Sequence, residues 1–348
     1  MNIANTLRRP EELTDFGFIP PDRLAGVERV AAQYAVAITP AMAELIDPDD
    51  PADPIARQFV PAEAELDRQP EESVDPIGDA AHSPLEGIVH RYPDRVLLMA
   101  THACAVYCRF CFRRETVGPT AAKALSPKAL DAAIAYIASH PQVWEVILTG
   151  GDPLILSPRR LGALMRLLGA IDHVKVIRLH TRVPAADPDR VTQALVKALR
   201  SSGKAVYVAL HADHPRELAP AARAACARLV DAGVPMLGQT VLLAGVNDDP
   251  ETLGALMRAM VESRIKPYYL HHPDHAPGTS HFRTPIAEGQ QVMRAIRGRL
   301  SGLCQPTYVL DIPGGHGKVP VGPNYLHGGE VEDPCGARRP YPPSAAGS

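Results

Sequence analysis

Arg95-Val-Leu-Leu-Met-Ala-Thr101-His-Ala-Cys104-Ala-Val-Tyr-Cys108-Arg-Phe-Cys111 is a short apolar strand that runs straight into a loop with three cysteines. Their spacing is C-x3-C-x2-C, and no fourth cysteine stands nearby in the sequence. Three thiolates can hold three irons of a cubane [4Fe–4S] cluster and leave the fourth iron open to a small molecule, whereas an ordinary electron-transfer cluster takes four cysteines. A zinc site wants four ligands, usually as paired C-x2-C units. His102 is the available fourth donor, but it lies only two residues from Cys104. Three structural thiols are the remaining reading, and the tightness of the group argues against it.

Beyond this loop the chain becomes regular. The pattern predicts helix at 122–139, 158–170, 188–201, 217–232, 250–263 and 287–301, alternating with strands at 145–149, 174–180, 205–211, 235–243, 266–271 and 306–311. Such alternation builds βαβ units and a parallel sheet. Without a GxGxxG after the first strand, a curved, barrel-like sheet is favoured over a dinucleotide fold. The expected fold is α/β, a partial (βα)6 barrel over residues 86–326. An N-terminal arm, 1–85, precedes it, with helical periodicity at 22–46 and turn-rich stretches at 47–55 and 69–84. The Gly/Pro-rich tail, 327–348, is expected to be irregular. The cysteine loop follows the first strand, Gly150-Gly-Asp152 the second, and Asp274 and Asp311 lie at or just past the ends of the last two. Parallel barrels bind ligands at those C-terminal strand ends.

Composition narrows the function classes. The 348 residues are 46% hydrophobic with a formal net charge of −3 and no long run of one sign. This balance suits neither nucleic acid nor an anionic membrane. Met1-Asn2-Ile3-Ala4-Asn5 lacks the basic-then-apolar form of a signal peptide, and no apolar run reaches membrane-spanning length. Six cysteines in so long a chain do not make a disulfide framework. Cys226 and Cys304 read as packing residues; Cys335 stands apart near the end. A soluble protein of the reducing cytoplasm is expected.

Two further segments carry chemistry. Thr149-Gly-Gly-Asp-Pro153 closes a strand, and its glycines let backbone approach a ligand closely, with exposed carbonyls to accept from an ammonium group; an ordinary turn would look the same. Asp311-Ile-Pro-Gly-Gly-His-Gly-Lys318 fails the phosphate-loop pattern G-x4-G-K-[ST] twice, with Ile312 in place of the first glycine and Val319 after the lysine. Lys318 could instead carry pyridoxal phosphate (PLP) through its amino group, or simply be a lysine in a solvent-exposed loop. His271, His272, His275 and His281 share a segment with Pro273, Pro277 and Gly278, so they cannot form one helical metal-binding face, and polar lining of a pocket is the expected role.

The cysteine loop resembles that of the radical S-adenosylmethionine (SAM) enzymes, and the chain from about residue 50 to 326 resembles the lysine 2,3-aminomutase family. The blocks that carry the resemblance include His82-Ser-Pro-Leu85, Val89-His-Arg-Tyr-Pro-Asp-Arg-Val96, Arg113-Arg114 after the cysteines, Gly150-Gly-Asp152, Asp231-Ala-Gly-Val-Pro235, Gly245-Val-Asn-Asp248, Arg264-Ile-Lys-Pro-Tyr-Tyr269, His281-Phe-Arg-Thr-Pro285 and Pro313-Gly-Gly-His-Gly-Lys318.

The resemblance implies that Cys104, Cys108 and Cys111 hold a [4Fe–4S] cluster. It implies that Lys318 carries PLP with Arg91 and Arg95 near its phosphate, and that Gly150, Gly151, Asp152, His211 and Gln239 contact SAM. Arg113 would bind the substrate α-carboxylate, and Asp274 with Asp311 would grip a side-chain ammonium, which favours lysine over glutamate. The implied reaction moves the α-amino group of L-lysine to carbon 3. The same chemistry on arginine, or in service of elongation factor P, fits the same residues, and a non-catalytic iron–sulfur electron-transfer or sensor protein is the rival outside enzymology. The implied partners are a flavodoxin- or ferredoxin-type reductant and a second copy in a homodimer. Asp249 stands where long family members place a zinc-binding cysteine, so no structural zinc is expected.

Overall fold

Leu98, Leu148, Leu179, Val208 and Leu270 are fully buried, whereas Leu97, Ile147, Thr149, Arg178, His180, Tyr269 and His271, next to four of them in their strands, line an inner cavity. The two-residue repeat thus gives the central sheet an outer apolar face under the helices and an inner face of mixed apolar and polar residues. The computed structural model describes residues 3–117 and 124–342. Its main sheet runs in sequence order: β1 (Ile88–Tyr92), β2 (Arg95–Thr101), β3 (Glu145–Gly150), β4 (Val176–Thr181), β5 (Ala205–His211), β6 (Met236–Val241), β7 (Ile265–His271), β8 (Thr307–Asp311) and β9 (Lys318–Pro320). Strands β2 to β8 are parallel, as expected for a partial barrel. Both edges are antiparallel: β1 pairs with β2 through Tyr92 and Arg95, and β9 pairs back onto β8 with Lys318 opposite Asp311. These edge strands were not foreseen, because five and three residues around Pro93 and the glycine-rich turn carry too short a pattern to read.

The arm contains α1 (Pro10–Asp15), α2 (Leu24–Ala31), α3 (Pro40–Ala43) and α4 (Pro54–Phe59). The periodic stretch 22–46 is therefore not one helix: α2 stops at Ala31, and Ile38 forms a bridge with Leu7 before Pro40 restarts the turn. The crossovers are α5 (Pro127–Ala138), α6 (Pro158–Gly169), α7 (Val183–Ala186) with α8 (Gln193–Leu199), α9 (Pro220–Asp231), α10 (Pro250–Glu262) and α11 (Ile286–Ile296). Proline at the first helical position and a side-chain cap from Ser126, Ser157 or Asp249 start α5, α6 and α10. Asp249 accepts from the amides of Glu251 and Thr252, which gives that departure from the family a local role.

Residues 122 and 123 of the expected helix 122–139 lie outside the described residues. The helix expected at 188–201 is shorter, because Thr192 caps a fresh start at Gln193. The one expected at 287–301 ends at Ile296, ahead of Gly298 at φ +76°. The tail is not irregular where described: β10 (Leu326–His327), β11 (Glu330–Glu332) and β12 (Arg338–Pro340) form a small antiparallel sheet. Gly328 and Gly329, at φ +55° and +94°, make its first turn. No helix among the described residues is long and apolar enough to cross a membrane.

The arm is fastened to the cysteine loop. Leu13, Ile38, Ile55 and Phe59 form a cluster that takes in Val106 from that loop and Ala186 from α7. Glu65, fully enclosed, accepts from Arg109 Nε at 2.9 Å and Nη2 at 2.6 Å and also from Arg114 Nη2. Burial works against the Glu65 carboxylate, and the two guanidinium groups outweigh it, holding its pKa below the ordinary value. Removing that carboxylate strands two buried cations. Glu65→Gln is expected to cost about 3–5 kcal/mol in denaturant unfolding; an unchanged midpoint would show that the arm and loop are held by apolar packing alone.

Candidate active site

The inward-facing residues of the parallel strands and the loops at their C-terminal ends enclose one cavity of about 810 Å³. The fourteen residues to which the resemblance assigns a role all line it: Arg91, Arg95, Cys104, Cys108, Cys111, Arg113, Gly150, Gly151, Asp152, His211, Gln239, Asp274, Asp311 and Lys318.

Cys104, Cys108 and Cys111 are unbridged, and all three face this cavity. Burial pushes their thiols up, that of Cys108 to about 12. Thiols in such surroundings ionise only against a strong positive charge, which is what a metal centre supplies. The donor set therefore fits an iron–sulfur cluster. Cys108 Sγ also accepts from Arg182 Nη1 at 3.3 Å. Arg182 is itself buried and held by Glu217 at 2.6 Å and Asp213 at 3.2 Å.

The glycines after β3 answer first to packing. A Cβ on Gly151 would lie 2.1 Å from the carbonyl oxygen of Ala103, and one on Gly150, at φ +105°, would lie 2.6 Å from that of Thr101. Gly151 N–H donates to Thr101 at 2.7 Å and Asp152 N–H to Ala103 at 2.9 Å, so this turn and the cysteine loop are one unit. The Asp152 carboxylate is taken up by the amides of Leu154, Arg182 and Val183 and the Thr181 hydroxyl. What this stretch offers a ligand is therefore backbone rather than the Asp152 side chain. His211 Nε2 lies 3.0 Å from Asp213, which orients the ring beside Gln239 on the next strand. Burial works against the Asp213 carboxylate, and His211 and Arg182 overcome it, keeping its pKa below the ordinary value. Exposed backbone acceptors with a fixed imidazole and an amide fit SAM.

Lys318 opens β9 because the preceding turn is built from left-handed glycines: Gly314, Gly315 and Gly317 have φ of +81°, +85° and +90°. A Cβ on Gly315 would meet His82 Nε2 at 2.6 Å. The turn leads into a strand and not a helix, unlike a phosphate loop. Tyr92 hydroxyl accepts from the Lys318 amide at 2.8 Å, and the Lys318 ammonium contacts Asp311 and lies 3.1 Å from His271 Nδ1. Arg91 reaches Ile77 O and Asp79 through Nη2, while its Nε is buried and unbonded. Arg95 pairs with Asp94 at 2.6 Å and lies 3.8 Å over the Tyr92 ring. A primary amine that shares the cavity with an arginine whose buried donor is unspent fits PLP.

The acidic pair is not symmetric. Burial, and then the charge of Asp311, push Asp274 up to about 7. Burial also works against Asp311, but the His271 ring and the Lys318 ammonium overcome it and hold its pKa near about 2. Burial pushes His271 down to about 4, so it faces the lysine as a neutral ring. His272 bonds Tyr308, His275 lies 3.1 Å from Arg283, and His281 packs on Phe282; of the four histidines, His271 alone belongs to the cavity.

Several residues of the site escaped the sequence reading. Asp79 accepts from Arg113 Nε and Nη2 at 3.0 and 2.6 Å and from Arg91 at 2.9 Å, joining two residues expected to bind different ligands. Arg178, paired with Glu145 at 3.1 Å, and His180 also point inward. The alternation of Arg178 and His180 with buried Ile177 and Leu179 was the available signal.

Residues 98–256 match the family model of the radical SAM superfamily. The curled sheet, the cysteine loop and the cavity thus define a radical SAM enzyme. Residues 293–331 match the model described as lysine-2,3-aminomutase. The chain is 43% identical over 324 residues to L-lysine 2,3-aminomutase of Acetoanaerobium sticklandii, covering 93% of this chain and 78% of that protein. It is 40% identical over 324 residues to the enzyme of the same name from Clostridium subterminale, covering 93% and 77%. Glutamate 2,3-aminomutase of Clostridioides difficile is 37% identical over 303 residues, covering 86% and 70%. The chain belongs to the lysine 2,3-aminomutase family.

The raised Asp274 has a measurable consequence in the ligand-free protein. Its carboxyl releases a proton at the ordinary value of 3.8 when unfolded and at about 7 when folded. The folded state therefore holds the extra proton across that window, and its contribution to stability falls as pH rises through it. Asp274→Asn removes this titration. The variant's Tm is expected to gain on the wild type as pH rises from about 4 to about 7; a difference independent of pH would place the carboxyl outside the buried site.

Proposed function

We propose that this chain is a 2,3-aminomutase that acts on L-lysine and delivers β-lysine. The observation that carries the reading is the Lys318 ammonium resting on Asp311 in a cavity that Asp274 also lines. This end of the site receives an alkylammonium ion, and two carboxylates would repel the side-chain carboxylate of glutamate. Arg113, at the opposite chemical pole, presents a planar fork suited to the α-carboxylate. With Nε and Nη2 engaged by Asp79, its Nη1 has no protein partner among the described residues.

When bound, the [4Fe–4S] cluster with SAM supplies hydrogen-atom abstraction at an unactivated carbon, and PLP supplies a conjugated ring to carry the migrating nitrogen. The chain's own part is to fix distances. Cys104, Cys108 and Cys111 would hold the cluster, and Gly150, Gly151, His211 and Gln239 would orient SAM. Lys318, Arg91 and Arg95 would hold PLP in the same cavity. With PLP on Lys318, the lysine's amino group would no longer neutralise Asp311, and a substrate ammonium would take that place between Asp311 and Asp274. The neutral ring of His271, 3.1 Å from the Lys318 amine, can accept a hydrogen bond from it and hold it in place. Enclosure by the strand ends excludes water from the reacting carbons. The expected location is the cytoplasm, where the cysteines stay reduced.

Anaerobic reconstitution with iron, sulfide, PLP and SAM, followed by assays on L-lysine, L-arginine and L-glutamate, tests the proposal. Turnover of lysine is expected; exclusive turnover of arginine or glutamate would overturn the substrate assignment. Lys318→Ala is expected to abolish the visible PLP absorbance with iron content intact, and persistence of that absorbance would reject the lysine as the cofactor anchor. Neutralising Asp274 or Asp311 to asparagine removes a charge-assisted contact of about 1.5–3 kcal/mol, so the lysine KM should rise roughly ten- to a hundredfold. An unchanged KM would remove the acidic pair from substrate recognition.

A further inference from the structure

Cys104 borders two cavities. It lines the active site, and it also lines a separate cavity of about 510 Å³ between the N-terminal arm and the start of α6. The residues on either side of it, Ala103 and Ala105, also line the outer cavity, so no bulky neighbour in the loop stands between that space and the thiol.

The outer cavity is positively charged. Arg8 comes from the arm, Arg160 from α6 and Arg190 from the turn after α7, against a single lining carboxylate, Asp187. Arg190 is tied to the carbonyl of Ile155 at 2.5 Å and lies 4.0 Å from Asp187. Arg8 and Arg160 are exposed, and neither guanidinium has an ion-pair partner among the described residues. Two chain segments, the arm through Arg8 and α6 through Arg160, thus bring cations without an ion-pair partner among the described residues to the rim of a cavity that reaches a cysteine of the cluster loop.

We propose that this face docks a small acidic electron-carrier protein, and that its electron enters the cluster by way of Cys104. The inference rests on the reading that Cys104, Cys108 and Cys111 hold the cluster. The step balances without bond making: the carrier's reduced centre loses one electron and the oxidised cluster gains it. Arg8 and Arg160 act before transfer, by steering the acidic partner. Steering of this kind raises association rates by tens to a thousandfold and is screened by salt.

The test uses the reconstituted enzyme and a fully reduced acidic flavodoxin, which gives up one electron. Cluster reduction is followed by stopped-flow absorbance and by the electron paramagnetic resonance signal of the reduced cluster. The wild-type rate should fall steeply with ionic strength. Arg8→Glu with Arg160→Glu should slow reduction by flavodoxin at least about tenfold and flatten its salt dependence. The same double variant should reach the wild-type signal and lysine turnover when dithionite is the reductant. Arg8→Lys with Arg160→Lys should keep the fast rate. An unchanged flavodoxin rate in the glutamate variant overturns the proposal, as does loss of binding to anionic lipid vesicles with that rate unaltered. Absence of any cluster signal in iron- and sulfide-treated wild type would instead overturn the cluster reading, and this one with it.

Discussion

A single enclosed carboxylate, Glu65, neutralises two arginines that the cysteine loop drives into the protein interior. The loop has no regular secondary structure of its own, yet it must keep three thiols in register with one another. It does so by pushing Arg109 and Arg114 inward, where Arg114 also lies 3.6 Å over the ring of Tyr34. Arg182, between β4 and α7, completes the framework by donating to Cys108 while Glu217 and Asp213 hold it. Buried cations are costly without such partners, so the N-terminal arm is a structural part of the site. It supplies Glu65, and through Gln58 it contributes a further bond to Arg182.

Much of this was legible in the residues. Strands and helices alternate with their hydrophobic periods intact, so the parallel sheet and its six crossovers could be read directly. The chemistry could be read because Cys104 to Cys111, Gly150 to Asp152 and Pro313 to Lys318 are local in sequence. What could not be read is non-local. Asp79 lies in a turn of the arm, and nothing in its neighbourhood marks it as the partner of Arg91 and Arg113. Glu65 looks like a surface residue of a short helical turn, and only the folded chain encloses it. The edge strands β1 and β9 and the small C-terminal sheet rest on pairing between very short segments, and such pairing leaves no periodic trace.

The two acidic residues of the cavity reach opposite electrostatic states by ordinary means. Asp311 stands on a strand, opposite Lys318 and beside His271, and stays ionised. Asp274 stands past the end of its strand, where burial and then the charge of Asp311 make it hold its proton up to about 7. On the proposed reading, a cation arriving between them would meet one charge already formed and a second that forms in response. The pair would thereby suit a cation without the mutual repulsion of two bare carboxylates.

Lys318 owes its aim to strand pairing rather than to the glycine turn before it. Because it is laddered opposite Asp311, its direction is fixed by the two-residue repeat of the β-structure. The turn at 312–317 can lengthen or shorten in evolution without moving the amine, provided the ladder closes on the same rung. A single insertion between Lys318 and Pro320 would be different. It would leave composition and packing almost untouched, yet rotate the amine away from the lumen. The address of the reactive group is written in parity, and a frame of two residues protects it.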